Sequence, residues 1–244
     1  PSGDLLAEAA LAQLRTLRPD IELLGIGGEG LARVGLKSRF ALSEFAVNGI
    51  TEVLPHLPRL LFRIEQITRW ILRENPAVVL TVDAPDLTLR IAKQLRARGY
   101  EGKLVHLVAP TVWAWKPDRA AKVAAFLDHL FCLFPFEPPY FEAEGLSAQF
   151  VGHPMAQQTA NEIEKDPGSL LLLPGSRMNE VRQLVPLFRE TVKRLSAEHK
   201  GLRCVVPTVE TTRAFVTKTM ANWPTPVEFL FRSEDKAKAF AQSA

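Results

Sequence analysis

At 244 residues the chain is long for one domain and comfortable for two, and 47% hydrophobic with 23% charged residues is ordinary for a globular protein with its own core. A net charge of +3 is too weak to point to nucleic acid, and suits an anionic ligand or an anionic lipid surface. The two cysteines, Cys132 and Cys204, stand in apolar runs and read as buried thiols of a reducing compartment, which excludes a disulfide framework.

No run approaches the length of a transmembrane helix, and no signal-peptide pattern is visible. Ser2-Gly3-Asp4 reads as a turn entering a helix, so a strand is expected upstream of Pro1. The other end, Glu234 to Ala244, is a helical segment that breaks off, and the chain reads as a piece of a longer one.

Leu5 to Leu17 has helical spacing, and Ile21 to Leu24 reads as a short strand. Gly25, Gly27 and Gly30 then match the dinucleotide spacing G-x-G-x-x-G. The segment after them meets Gly35 too soon for a long helix, so this reads as a glycine-rich loop without a nicotinamide cofactor. Leu57, Leu60, Leu61, Ile64, Ile67 and Ile71 form a helical stripe. Strands follow at Val78 to Val82, Leu104 to Val108, His129 to Leu133 and Gln149 to Val151, with helices at Leu87 to Arg98 and around Val123 to Leu127.

Polar residues from Gln157 to Ser169 read as a linker. Beyond it come strands at Leu170 to Leu173, Cys204 to Val206 and Val227 to Leu230, and a helix over Val181 to Leu195. Pro186 in that helix must sit in the first turn or kink it. Alternating strands and helices mean parallel sheets covered on both faces, here as two doubly wound domains. Residues 1–156 make the first, 157–168 the linker and 169–244 an incomplete second domain, with ligands expected at strand C-terminal ends in a cleft between them.

Candidate chemistry sits at those strand ends. Leu173-Pro174-Gly175-Ser176-Arg177 hands a buried strand to a helix N-terminus, where N–H groups, the helix dipole and a guanidinium fork suit a diphosphate. An ordinary strand-turn-helix corner with a solvated Arg177 reads the same way. Glu180 suits the helix dipole and can orient Arg177. Asp83 ends a Val-rich strand and is placed either for proton abstraction or for an Asx-turn. Asp86 reads as the N-cap of the next helix. His153, between Gly152 and Pro154, is an acid/base or a structural histidine. Trp113 and Trp115 line a sugar or acyl site or pack on the core.

The run from Asn48 to Leu61 combines apolar residues, prolines and a nearby arginine. It either dips into a lipid interface or buries its stripe on the sheet, and both hold if Ile50, Val53, Leu54 and Leu57 are exposed while Ile64 to Ile71 are buried. The histidines are scattered, so no metal cluster is expected, and no covalent nucleophile pattern occurs.

Seven motifs in order carry a resemblance: Pro1-Ser2-Gly3-Asp4; Ala46-Val47-Asn48-Gly49-Ile50 with Glu52-Val53-Leu54; Asp83-Ala84-Pro85-Asp86; Val112-Trp113-Ala114-Trp115; Leu133-Phe134-Pro135-Phe136-Glu137; Val151-Gly152-His153-Pro154; and Leu173-Pro174-Gly175-Ser176-Arg177 with Glu180-Val181. The set resembles the lipid-A-disaccharide synthases, bacterial glycosyltransferases of lipid A assembly, over essentially the whole chain. The resemblance implies a GT-B fold of two Rossmann-like domains. It also implies inverting, metal-independent transfer of 2,3-diacylglucosamine from its UDP derivative to 2,3-diacylglucosamine 1-phosphate (lipid X), with no cofactor and no nucleic-acid partner.

By the same resemblance, Asp83 is the base for the acceptor hydroxyl, while Gly175, Ser176, Arg177 and Glu180 hold the donor diphosphate. Ser2, Gly3, Asp4, Trp115 and His153 are cleft residues. Ile50, Val53, Leu54, Leu57, Leu60 and Leu61 meet the cytosolic face of the bacterial inner membrane, to which the family is peripheral. The family's uridine-binding loop is not found in these residues. The competing readings are a UDP-sugar 2-epimerase-like enzyme on the same scaffold and a catalytically silent binding module.

Overall fold

The computed structural model describes residues 2–40, 50–154, 166–232, 235–236 and 239–240. The chain divides into two compact units, Pro1–Gln158 and Thr159–Ala244, each built on a parallel sheet, so the α/β class expected from the sequence is the class observed. Among the described residues no helix is long and apolar enough to cross a membrane. The linker expected at 157–168 lies outside the described residues as far as 165.

In the first unit the elements are α1 (Ser2–Leu17), α2 (Glu29–Arg33), α3 (Ile50–Glu74), β1 (Val78–Val82), α4 (Pro85–Ala97), β2 (Lys103–Leu107), α5 (Arg119–Ala124), β3 (His129–Cys132), α6 (Pro138–Glu142) and β4 (Ser147–Phe150). The sheet order is β1-β2-β3-β4, all parallel. Each crossover moves one place in the same direction, so right-handed connections put α4, α5 and α6 on one face. Strand alternation fills both faces. Val79 joins Ile64 and Ile67 of α3 and Leu89, Ala92 and Leu95 of α4, whereas Val82, of opposite parity, packs with Ala7, Leu31 and Leu36.

The edge of this sheet where strands begin is closed by a polar clip. Arg96, in the last turn of α4, pairs with Asp128 at 2.6 Å, and the same carboxylate accepts the Leu104 N–H at 2.7 Å. Arg96 also donates to the Tyr100 carbonyl, and the Tyr100 hydroxyl donates to the Pro76 carbonyl, each at 2.5 Å. Partial burial works against the charged carboxylate of Asp128, but the Leu104 N–H, Arg96 and Lys103 outweigh it and hold its pKa below the usual carboxylate value.

The second unit holds β5 (Ser169–Leu171), α7 (Met178–Glu198), β6 (Arg203–Pro207), α8 (Glu210–Thr219) and β7 (Val227–Leu230), with parallel order β5-β6-β7. Its core gathers Leu172, Val181, Val185, Val192, Cys204, Val206 and Val216. Pro186 lies in the interior of α7 rather than its first turn. Pro186 and Arg182 are both exposed, so water can serve the Arg182 carbonyl that the proline leaves without an N–H.

Three readings are corrected. Ile21 to Leu24 is not a strand: beside it only an isolated bridge, Gly25 to Ser38, forms among the described residues. The helix after β1 starts at Pro85, not Leu87, and its N-cap is Ala84. Asp86 is therefore a first-turn residue, its exposed carboxylate 3.1 Å from Arg119. Proline at the first helical position suits a helix start, since its missing N–H would have no partner there.

Asp128→Ala leaves Arg96 and the Leu104 N–H without their shared acceptor. It should lower unfolding stability at pH 7 by roughly 1–3 kcal/mol, measured as a shift in urea midpoint. Because the folded pKa is depressed, the wild-type advantage is present above the ordinary carboxylate pKa and disappears as pH falls through the folded value.

Candidate active site

The chain leaves β1 through two left-handed residues, Asp83 (φ 52°) and Ala84 (φ 45°), and leaves the adjacent β2 through Val108 (φ 84°). Left-handed backbone is uncommon for residues with a Cβ, and rarest for β-branched ones, and such strain persists only where neighbours over-determine it. Here they do. The Asp83 N–H donates to the Leu107 carbonyl at 3.0 Å, and the Thr88 hydroxyl donates to the Asp83 carbonyl at 2.7 Å. Both ends of the Asp83 peptide unit are thereby tied down, one by the neighbouring strand and one by the helix it opens.

The half-buried Asp83 also meets the start of α1: a Cβ placed on Gly3 would lie 3.0 Å from the Asp83 Cβ and 3.4 Å from Oδ2. Asp4 has a different partner. Its carboxylate accepts the N–H of Gly28 at 2.7 Å and of Gly30 at 2.8 Å, capping α2 from a distance. A Cβ at either glycine would lie 2.8 Å from that carboxylate, so Gly28 and Gly30 are explained by the close approach of Asp4, while Gly25 and Gly27 leave room for Leu36 and Leu31. The side chain of Ser2 lies outside the described residues.

Since the four strands are parallel, their C-terminal ends share one edge, and the sheet brings Asp83, the loop after β2, the loop after β3 and His153 to it. His153 is half-buried just beyond β4. Trp113 and Trp115 follow β2. Trp115 is 54% exposed, with the Lys116 ammonium 4.3 Å from its ring centroid. Trp113 packs edge-on against Phe136 at 5.3 Å, and Phe134 stacks on Phe136 at 5.5 Å. A hollow of about 370 Å³ opens between α5 and α6, lined by Val112, the residue before Trp113, and by the Tyr140 ring.

Sequence reasoning assigned no role to Thr88, to the two phenylalanines or to His106. His106 is fully buried in β2, its Nδ1 2.8 Å from the Thr81 hydroxyl, and its Nε2 is buried with no hydrogen-bond partner. Burial pushes its pKa down to about 4, against the opposing pull of the Asp83 charge. A neutral imidazole therefore lies in the electrostatic neighbourhood of the carboxylate.

In the second unit, the strand-turn-helix corner is formed as the sequence suggests. Gly175 has φ 95°, and Arg177 is the N-cap of α7. The Arg177 N–H donates to Glu180 Oε2 at 3.3 Å and its guanidinium to Oε1 at 2.8 Å. The Arg177 guanidinium and N–H, with the Ser176 N–H, hold the Glu180 carboxyl below its usual pKa. A Cβ on Gly175 would sit 2.7 Å from Glu180 Oε2, so the carboxylate fills the space that the glycine leaves. The guanidinium is mostly exposed and able to exchange this partner for another anion.

The lipid-A-disaccharide synthetase (LpxB) family model matches residues 1–244. The chain belongs to this family. The lipid-A-disaccharide synthase of Rhodospirillum centenum is 44% identical across all of this chain and 64% of its own length. Those of Ruegeria pomeroyi and Myxococcus xanthus are 41% and 39% identical, over 92% and 86% of this chain and 58% and 57% of theirs. The chain thus spans about three-fifths of these relatives.

Among solved structures, UDP-GlcNAc 2-epimerase from Neisseria meningitidis bound to UDP-GlcNAc aligns with TM-score 0.63 at 9% identity, over 99% of this chain and 73% of that one. A putative UDP-N-acetylglucosamine 2-epimerase from Listeria monocytogenes aligns with TM-score 0.59 at 15% identity, over 100% and 70%. These likenesses establish the GT-B-like fold.

Of the residues expected to face lipid, the side chains of Ile50, Val53, Leu54 and Leu57 lie outside the described residues. Leu60 packs against the core of the first unit, which removes it from an outward face. Leu61 and Phe62 point outward, 43% and 59% exposed. Among the described residues no three His, Cys, Asp or Glu side chains gather as a metal cluster.

His106 carries a pH signature. Between its ordinary value near 6.5 and about 4, the unfolded chain takes up a proton that the folded chain refuses. Stability contributed by this residue should therefore fall as pH drops through that window, by up to about 1.4 kcal/mol per pH unit. The difference in urea unfolding free energy between wild type and His106→Asn, measured from pH 7 to pH 4, should show that slope.

Proposed function

We propose that the full-length protein carrying this chain is an inverting glycosyltransferase of lipid A biosynthesis. It transfers 2,3-diacylglucosamine from its UDP derivative to the 6-hydroxyl of 2,3-diacylglucosamine 1-phosphate, releasing UDP. Family membership along the whole chain supports the reaction class. The observation that carries the assignment of the base is the clamp on Asp83 at the C-terminal end of β1.

In this reading the Asp83 carboxylate takes the proton of the acceptor hydroxyl as its oxygen attacks the anomeric carbon from the face opposite the nucleotide. The bond to the UDP β-phosphate oxygen breaks, and negative charge gathers on the departing diphosphate. Arg177 and the N–H groups of Gly175 and Ser176 meet that charge. Glu180, which holds Arg177 in the free protein, yields its place to phosphate oxygens. Gly3 leaves room for Asp83, and Trp115 and His153 border the acceptor side. The exposed Leu61 and Phe62 support a peripheral seat on the cytosolic membrane face, where both acylated substrates reside.

Asp83→Asn in the full-length protein should keep UDP-sugar affinity within about twofold and lower turnover by roughly 10²–10⁴-fold. Single-turnover kinetics alongside equilibrium donor binding separate the two quantities. Unchanged turnover would remove Asp83 from the role.

Arg177→Ala should weaken UDP-sugar binding by about 10- to 100-fold, as loss of a charge-assisted contact requires. Isothermal titration measures it. UDP release without an acylated acceptor would mark epimerase-like or hydrolytic chemistry, and substrate binding without turnover would mark a silent module.

A further inference from the structure

We infer that the hollow between α5 and α6, walled in part by the Tyr140 ring, is the seat of one acyl chain of the acceptor. This deepens the function proposed above and rests on it for the acylated substrate.

The first observation is an exposure that folding alone does not explain. Trp113, Phe134, Phe136 and Tyr140 are each 45–47% exposed, and the first three are joined ring to ring. Contiguous apolar patches of this kind mark binding surfaces. The second is the hollow itself, about 370 Å³, walled by Val112, Pro117, Ala120, Pro139 and Ala143 with the Tyr140 ring. That volume is within the range of small-molecule sites. The third is position. Arg119 at the start of α5 is bonded to Asp86 in the first turn of α4, three residues beyond Asp83, so the hollow lies at the edge that carries the carboxylate.

The lining chooses among ligands. A sugar or nucleotide site needs several convergent donors and acceptors, and these walls are overwhelmingly aliphatic and aromatic. Glu144 is the one charged residue of the lining. It is exposed and repels phosphate, which turns a headgroup away and leaves an uncharged hydrocarbon chain as the occupant. Tyr140 presents its ring to such a chain while its hydroxyl can remain in water.

The test uses the full-length protein in mixed micelles, with acceptors carrying acyl chains from four to fourteen carbons. In the wild type, kcat/KM should rise with chain length, by up to about fourfold per methylene while the hollow fills. Ala143 is an exposed residue just past α6, so Ala143→Phe plugs the hollow without entering the core. This variant should lose tenfold or more with fourteen-carbon acceptors and stay within twofold with four-carbon ones. An equal loss at both lengths, or no loss at either, overturns the assignment.

A binding readout separates this idea from the reaction. The probe 12-bromododecanoate should quench tryptophan emission in the wild type and do so far less in Ala143→Phe. Quenching that behaves this way in a protein without transferase activity would defeat the proposed reaction and leave the chain-binding hollow standing. Absent quenching, or quenching untouched by the plug, overturns the hollow itself.

Discussion

The hydrogen bond from the Asp83 N–H to the Leu107 carbonyl is the constraint on which the candidate site of the first unit depends. A parallel ladder would ordinarily end at Val82, the last residue in register, opposite Leu107. Extending it by one bond through a left-handed residue bends the chain out of the sheet while keeping Asp83 fastened to it. Thr88 fastens the carbonyl of the same residue, and Pro85 starts α4 immediately. The aspartate is thus locked by its backbone, leaving the side chain to be set by what touches it. Gly3 is one such contact, and a side chain there would press on Asp83. Main-chain bonds to a neighbouring strand and to the helix that follows fix the Asp83 backbone with positional accuracy.

The two edges of that sheet do different work. Where strands begin, Arg96, Asp128, Tyr100 and the Leu104 N–H form a closed set of partly buried bonds that ties α4 to the sheet. Where strands end, the structure keeps strained backbone, half-exposed aromatic rings and an imidazole nitrogen with no hydrogen-bond partner. Strain and unmet polar groups are costs that a fold bears where function asks for them. Among the described residues, four of the five left-handed non-glycine residues (Asp83, Ala84, Val108 and Lys116) follow strand ends and Asn75 precedes β1, so the bias favours the edge that carries the candidate site.

Much of this was legible in the sequence because strand ends in α/β folds are punctuated by residues that cannot continue a strand. Asp83-Ala84-Pro85, Gly152-His153-Pro154 and Pro174-Gly175-Ser176 all mark real strand exits. The same local logic misled at Ile21 to Leu24, where an apolar run of the right length finds no strand to pair with among the described residues. It misplaced the helix cap too: Asp86 has the right chemistry for an N-cap, but the left-handed pair before Pro85 moved the helix start upstream. Three short helices were invisible. α2 is five residues long and follows the glycine-rich loop, α6 opens on two prolines and buries Pro138 and Phe141, and α8 is rich in threonine, a weak helix former. His106 could not be recognised because its partner Thr81 is 25 residues away in sequence and adjacent only through strand register.

The corner at Gly175 to Glu180 satisfies its helix terminus from within its own turn. Partial positive charge at the start of α7 and the guanidinium of Arg177 together require an anion, and Glu180 supplies one from within the same turn. Exposed pairs three residues apart contribute little to stability, so this one is poorly explained as a staple. Its geometry is that of a capping box: Glu180, three residues past the N-cap, accepts the Arg177 N–H and guanidinium, and its carboxylate rests where Gly175 has left space. A stronger, doubly charged anion can displace it because the pair is shallow and solvent-exposed. The carboxylate thereby keeps Arg177 oriented and the helix terminus satisfied without burying a charge.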